Sequence, residues 1–534
     1  MSKNIRILSH RQGLQNNLFH ALGATIQPSA EETGTAMRVL AEQARLSGAV
    51  IKGTASFYDF LNEQSQSERT LVCHGTACLV NGSTAEVMAR HPAAGKAMCC
   101  GYCYQGAGLL QRQADGTLDG FHQAEAGLLQ PEMPVCSLSG SAILTSPVDS
   151  VEQLYRIALQ RTEQILPELQ QSQLRGRGGA GFGFAIKCQA TAAAEGDEKY
   201  IVCNADEGDP GAFSDRYLLE QQAHKVMAGM YAAGLAAGAK TAVLYIRHEY
   251  PEAIRRVQAA IDEFTALPPQ ISGDFRFYIV EGAGSYVCGE ETALLSSIEG
   301  QRPEVRVRPP YPATHGLWGK PTLLSNVETF ANIPWILHRG GKAFAAIGTA
   351  ASKGTKLISL DSQFVRPGLY EVDFGHSFAD LIYRQAGGFN TEVKALQVGG
   401  PLGSIVPQAA IDALSIDFES FQKHGFALGH AGIIAIPERF PMLDFMRHIF
   451  EYMADESCGK CTPCRLGTAK GSHMLQQASP EQPLDGALFE ELLDILETGS
   501  LCALGGGIPL PMRNALTHFR EELSPYFSAK EVVR

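Results

Sequence analysis

Cys458, Cys461 and Cys464 are each separated by two residues in the run Cys458-Gly-Lys-Cys461-Thr-Pro-Cys464, and Cys502 follows downstream. Three thiolates from one tight loop and a fourth from elsewhere make a four-thiolate cage, the ligation an iron–sulfur cluster needs. A structural zinc also takes four thiolates, usually from two cysteine pairs on separate turns. The triple run favours the cluster, and with it one-electron chemistry. A second set pairs Cys73 with Cys78 and Cys99 with Cys103. Its unequal spacings suit a [2Fe–2S] rhomb better than a zinc ribbon, which prefers two-residue intervals. Cys100 lies inside this set but out of phase. Cys136, Cys188, Cys203 and Cys288 read as small core residues.

Three loops could hold a nucleotide. Leu174-Arg-Gly-Arg-Gly-Gly-Ala-Gly-Phe182 satisfies G-x-G-x-x-G at Gly176, Gly178 and Gly181. A dinucleotide loop should follow a strand, whereas residues 162–173 look helical, so this is no ordinary Rossmann fingerprint. Its glycines still let backbone amides approach an anion, with Arg175, Arg177 and Lys187 supplying positive charge. A tight structural turn is the alternative. Cys203-Asn-Ala-Asp-Glu-Gly-Asp-Pro-Gly-Ala-Phe213 gathers Asp206, Glu207 and Asp209. Those carboxylates suit ribose hydroxyls or a flavin edge, or form a solvated acidic loop. Gly282-Ala-Gly-Ser-Tyr-Val-Cys-Gly-Glu-Glu-Thr292 places Glu290 and Glu291 in a first helical turn, which the helix dipole favours in any case. Tyr286 could stack on a flat ring or pack in the core.

The elements behind these loops are α/β. Runs at 200–203, 242–246 and 275–280 are β-rich and alternate with helical segments near 219–238 and 251–266, which predicts a parallel sheet. Ligands bind such sheets beyond the carboxyl ends of the strands. Residues 1–65 have helical spacing, 69–135 alternate short strands with turns, and 131–150 look like a linker. Strand-like segments near 356–360 and 396–399 mark a third region. From 440 onward the chain is helical, with Met442, Met446, Ile449 and Met453 on one face and Leu488, Leu492 and Ile495 on another. The expected domains are 1–135, 150–335, 350–435 and 440–525. A chain of 534 residues with 45% hydrophobic content has room for several cores. A net charge of −12 argues against nucleic acid or an anionic membrane surface. No apolar run reaches the ~18 residues of a membrane span, and the start MSKNIRILSHRQG lacks a leader-like apolar stretch. The expectation is a cytoplasmic protein without membrane insertion, its cysteines reduced.

Taken together and in this order, RGRGGAGF, CNADEGDPGAF, GAGSYVCGEE, GKPTLLSNVET, ESCGKCTPCR and SLCALG resemble the NADH-binding flavoprotein of respiratory complex I and its relatives. Residues 150–525 resemble the large subunit, and 20–135 its small thioredoxin-like [2Fe–2S] partner, fused in front. The resemblance implies an α/β multidomain fold: a helical and thioredoxin-like [2Fe–2S] domain, an α/β FMN- and NAD(H)-binding domain, a β-grasp-like domain and a C-terminal helical bundle carrying [4Fe–4S]. It implies that Gly176, Gly178, Lys187, Asn204 and Asp206 hold FMN, with Asn326 nearby. Tyr286, Gly289 and Glu290 would line the flavin, and Phe182 would stack on adenine. Glu207, Asp209 and Glu291 would orient the nicotinamide nucleotide. Cys73, Cys78, Cys99 and Cys103 would hold the [2Fe–2S] cluster, and Cys458, Cys461, Cys464 and Cys502 the [4Fe–4S] cluster. The family's GFPTGLKW reads Gly181-Phe-Gly-Phe-Ala-Ile-Lys-Cys188 here, so the adenine clamp is expected to be rebuilt from Phe184 and Tyr311.

The implied activity is that of a diaphorase. A hydride passes between NAD(H) and FMN, and single electrons leave through the clusters; the cofactor carries the chemistry while the protein positions it. The acidic loop disfavours a 2′-phosphate, which points to NADH. Fusion of the two subunits, a chain that stops at Arg534 without a Cys-rich tail, and Asp209 lean toward the β subunit of a soluble molybdenum- or tungsten-containing formate dehydrogenase, whose catalytic subunit would be the partner. The alternatives are the diaphorase of an NAD-reducing nickel–iron hydrogenase, a fused complex I subunit, and a non-enzymatic redox sensor.

Overall fold

The computed structural model describes residues 14, 18–23, 25, 30–61, 68–113, 117–130 and 132–528. The leader reading rests on residues 1–13, which lie outside that range. The fold is mixed α/β and multidomain, with three large sheets and a helical C-terminal region.

At the centre is a four-stranded parallel sheet in the order Thr322–Asn326, Tyr200–Ala205, Thr241–Ile246, Arg276–Glu281. Three of these strands were legible as β-rich runs. The fourth lies inside the GKPTLLSNVET motif. Parallel strands need cover on both faces. Val202, Val243, Tyr245 and Val280 pack on one face against Leu18, Ile51 and Tyr58 of the N-terminal segment. Ile201, Cys203, Leu244 and Ile246 face the apolar helix Ala223–Ala237 on the other side. The N-terminal segment also pins the third loop: the Asp59 and Phe60 amides donate to the Gly284 and Ala283 carbonyls.

Thr70–Cys73 runs parallel to Gly95–Ala97 and antiparallel to Gly108–Arg112 in a five-stranded sheet. Cys73 ends its strand, as the alternation predicted. A six-stranded mixed sheet follows, built around Thr355–Leu360, Val393–Val398 and Gly432–Pro437. The expected linker does more than connect. Val135–Ser137 pairs parallel with Gly368–Asp373, and the Leu144 and Thr145 amides donate to the buried Glu371 carboxylate. Lys225 donates to the Ile143, Leu144 and Ser146 carbonyls from the other side.

In the C-terminal region Met442–Asp455 buries Met442, Met446, Ile449 and Met453, as their spacing predicts. Helix Gly486–Gly499 corrects the second stripe. It buries Phe489, Leu493 and Leu496, while Leu488 and Ile495 face outward. Apolar residues occur on both sides of this helix, so periodicity alone could not choose between them.

Candidate functional site

The carboxyl ends of the parallel strands open onto a cleft of ≈ 230 Å³. Gly178 of the glycine loop, Asn204, Asp206, Glu207 and Asp209 of the acidic loop, Tyr286, Gly289 and Glu290 of the third loop, and Asn326 all line it. Four loops separated by up to 148 residues (178 to 326) therefore converge on one space. Close backbone approach explains two of the glycines. A Cβ on Gly178 would sit 3.1 Å from the Asn326 Cβ, and one on Gly208 would sit 2.8 Å from the Tyr286 ring. Four of the expected residues stand outside the lining. Gly176 closes its own loop by donating to the Phe182 carbonyl. Phe182 is 50% exposed at the outer rim. Lys187 pairs with Glu291 at 2.9 Å, and Glu291 also accepts from Arg308 at 2.8 Å.

Several side chains at the cleft do structural work. Glu207 is buried. Its carboxylate accepts the Asp215 and Arg216 amides, the Ser214 hydroxyl and the Tyr250 hydroxyl, and so caps helix Ser214–Gln221. Glu290 caps Glu291–Ile298 through the Thr292 and Ala293 amides. Asn326 caps Val327–Arg339 and donates to Asp215 Oδ2 at 2.6 Å. The Asn204 amide group donates to the Gly289 carbonyl, and the Tyr286 hydroxyl donates to Asp209 at 2.7 Å.

Burial sets the electrostatics. It pushes the Asp206 carboxyl up to about 8, and Asp206 Oδ2 has no hydrogen-bond partner. Burial and the neighbouring Asp215 push Glu207 up to about 7. Asp209 is also raised by burial. Glu291 goes the other way: burial opposes its charge, but Lys187 and Arg308 hold it low. Two arginines expected to offer charge to a phosphate are committed elsewhere. Arg177 is fully buried over the Phe374 ring and beside Glu328, and Arg175 pairs with Glu419 at 2.5 Å. Phe184 cannot be an adenine clamp. It is 1% exposed and packs edge-on against Phe330, because it opens helix Phe184–Ala193 facing inward. Tyr311 is exposed.

The thiols gather in two places. Cys458, Cys461, Cys464 and Cys502 line one chamber with Val287, Val305, Leu501 and Leu504. Val287 and Leu504 also line the cleft, so a single layer of apolar side chains separates the two spaces. At the other set, Cys73, Cys78, Cys99 and Cys103 are all buried, with the Cys99 and Cys103 sulfurs 3.5 Å apart. Hydrogen bonding within that set pulls the Cys99 thiol well down and pushes Cys103 up. The Gly211 amide donates to Cys103 Sγ at 3.3 Å, so the acidic loop reaches this set too. Sequence reading missed Asp215, His430, Leu402 and Ala503, which also line the cleft. His430 carries the one visible signal, a lone imidazole in Leu-Gly-His430-Ala-Gly at the entry to a buried strand.

Converging glycine loops, an orphaned buried carboxylate oxygen and a four-thiol chamber are the parts a flavin- and cluster-binding electron-transfer protein needs. Residues 169–335 match the Nuo51 FMN-binding domain, and 444–526 match the NADH-ubiquinone oxidoreductase-F iron-sulfur binding region. The NADH-quinone oxidoreductase F-2 subunit of Rhizobium meliloti (strain 1021) is 41% identical over 67% of this chain and 88% of its own length. The NADP-reducing hydrogenase subunit HndC of Solidesulfovibrio fructosivorans is 39% identical over 71% of this chain and 79% of its own. A chain of the NAD+-reducing [NiFe]-hydrogenase crystallised in the H2-reduced state superposes with a TM-score of 0.85 at 26% identity, covering 96% of this chain and 94% of that one. The protein belongs to the NADH-quinone oxidoreductase F family, NAD(H)-dependent FMN flavoproteins with a four-iron cluster region. Among the described residues no helix is long and apolar enough to cross a membrane.

Proposed function

We propose that this protein is the diaphorase subunit of a soluble NAD-dependent enzyme, taking electron pairs at the cleft and releasing single electrons through cysteine-bound clusters. The observation that carries this reading is the shared wall. Val287 and Leu504 belong both to the cleft and to the chamber of Cys458, Cys461, Cys464 and Cys502. Bound FMN would supply the conversion between a two-electron hydride and one-electron steps. The chain supplies placement. Gly178 and Gly208 let Asn326 and the Tyr286 ring close in on the cleft, Asn204 and Asp206 present polar groups to a flat ring's edge, and Tyr286 tethers Asp209. Phe182 at the rim offers adenine a stacking face, and Glu291 between Lys187 and Arg308 offers an acceptor to the nucleotide. No side chain need act as general acid or base. Cys73, Cys78, Cys99 and Cys103 suit a [2Fe–2S] centre beside the acidic loop.

The partner we infer is a molybdenum- or tungsten-containing formate dehydrogenase subunit with further clusters, which would oxidise formate to CO2 on its own chain. A second reading has a specific observation in its favour: likeness over 96% of the chain to a subunit of an NAD+-reducing [NiFe]-hydrogenase. Complexes pulled down on this chain from its native host decide between them. Molybdenum or tungsten supports the formate reading; nickel with hydrogenase subunits replaces it. Dye reduction by purified chain and NADH tests the diaphorase itself. Cluster-loaded protein that fails to reduce dye would be a redox sensor instead.

A further inference from the structure

His430 stands in the turn before strand Gly432–Pro437, against the glycine loop; a Cβ on Gly179 would lie 3.6 Å from the His430 amide nitrogen. Its side chain is 8% exposed and lines the cleft beside Gly178, Asn326 and Asp215. Nε2 lies 3.3 Å from Asp215 Oδ2, and Nδ1 lies 3.8 Å from Glu207 Oε1. Neither His430 Nδ1 nor Asp215 Oδ1 has a hydrogen-bond partner. Asp209 adds a third carboxyl from the acidic loop, and Lys356, on strand Thr355–Leu360, is the opposing cation.

Ligand-type atoms of Glu207, Asp215 and His430 lie within 4.8 Å of one another, a spacing that could suggest a metal. The hydrogen bonds argue otherwise. Glu207 already accepts four donors, which fills the lone-pair sites of a carboxylate. A proton on the imidazole answers both carboxylates without any ion. Burial opposes that charge, but Asp215 outweighs it, and the group is raised to about 9. Protonated, the imidazole offsets the two carboxylates that face it in the cleft wall.

We propose that His430, held between Asp215 and Glu207, is a positioning residue that offsets the charge these carboxylates would otherwise set against FMN in the cleft, and so raises the potential of the bound flavin. The proposal rests on the reading that FMN occupies this cleft. NADH delivers a hydride, two electrons and one proton, and leaves as NAD+. The ligand that receives it becomes more negative, and an imidazole proton that cancels part of the wall's carboxylate charge stabilises that form preferentially. Asp215 and Asn326, which sequence motifs treat as unrelated, would serve to keep the imidazole charged and oriented.

The test is a redox titration of the flavin in the full-length holoprotein across pH. His430→Gln should lower the ratio of reduced to oxidised FMN affinity about tenfold, read as a potential ~30 mV lower. The wild type should show the same drop as pH rises through about 9, and the Gln variant should not. Asp215→Asn should move that break down toward the ordinary histidine value of 6.5. Equal potentials and pH profiles in wild type and His430→Gln would overturn the proposal, as would an unmoved break in Asp215→Asn. If the Gln variant retains no FMN, the Asp215→Asn shift decides alone. Wild-type protein that carries no flavin would instead refute the cleft assignment itself.

Discussion

Cys73, Cys78, Cys99 and Cys103 are sealed inside the molecule, whereas Cys461 and Cys502 are only half-buried. The inner set is clamped by the acidic loop and its surroundings. Gly211 donates to Cys103, Arg216 to the Gly101 carbonyl at 3.0 Å, and Arg247 to both the Glu207 and Cys99 carbonyls. The outer set has a different frame. Cys458 and Cys464 face inward, while Leu501, 40% exposed, and the exposed Leu466 and Ile495 belong to the surrounding surface. A sealed centre has its hydrogen bonds and dielectric fixed by the chain, which is how a protein tunes a cluster. A centre at the rim can hand electrons to another chain. The difference teaches that spacing groups the thiols, but burial sets how each group meets the surface.

The largest expected effect separates the two. Cys458→Ser should abolish the four-iron signal and cut electron delivery to an acceptor protein by roughly a hundredfold or more, with flavin bleaching by NADH preserved. Cys99→Ser should spare that delivery; its loss to the same degree would erase the proposed division. Next in size is the clamp. Arg247 and Glu249 form a pair 2.6 Å apart, both buried. Arg247→Gln leaves Glu249 charged without its partner and should cost about 3–5 kcal/mol in chemical denaturation. Leu501→Glu at the outer rim should change stability by less than about 0.5 kcal/mol, yet slow transfer to the partner subunit. A large loss of stability there would mean the rim is part of the core.

A further expected effect concerns pH. Asp206, raised to about 8, and Glu207, raised to about 7, bind protons in the folded state that the unfolded chain has already released. Stability should therefore fall as pH rises from the ordinary carboxylate range through those values. His430, raised to about 9, contributes stability that is complete below 6.5 and lost as pH rises through about 9, so its sign is the same. Melting curves of Asp206→Asn should show a shallower decline than the wild type between about pH 5 and pH 8. Parallel curves would contradict the burial of that charge.

Much of this was legible from local pattern. The C-x2-C-x2-C run, three parallel strands and the loops after them are short-range signals, and the structure brings nine of the expected nucleotide-site residues to one cleft. The illegible parts depend on direction or distance. Phe182 and Phe184 are two residues apart, yet one faces solvent and the other the core, because the helix starts between them. Leu488 and Ile495 looked like a packing face, while Phe489, Leu493 and Leu496 occupy it. Glu207 looked free to meet a ligand, but capping amides take its oxygens. Asp215 and His430 meet across 215 residues, and no local pattern reports a contact made that way.

The most direct test of the central claim is an anaerobic NADH titration of the purified chain, followed together by flavin absorbance and low-temperature EPR, with dithionite as the reference for full reduction. The account predicts that NADH bleaches the flavin and brings up the signal of the cluster held by Cys458, Cys461, Cys464 and Cys502. Clusters that dithionite reduces but NADH does not, beside a flavin that bleaches normally, would contradict passage through the wall formed by Val287 and Leu504.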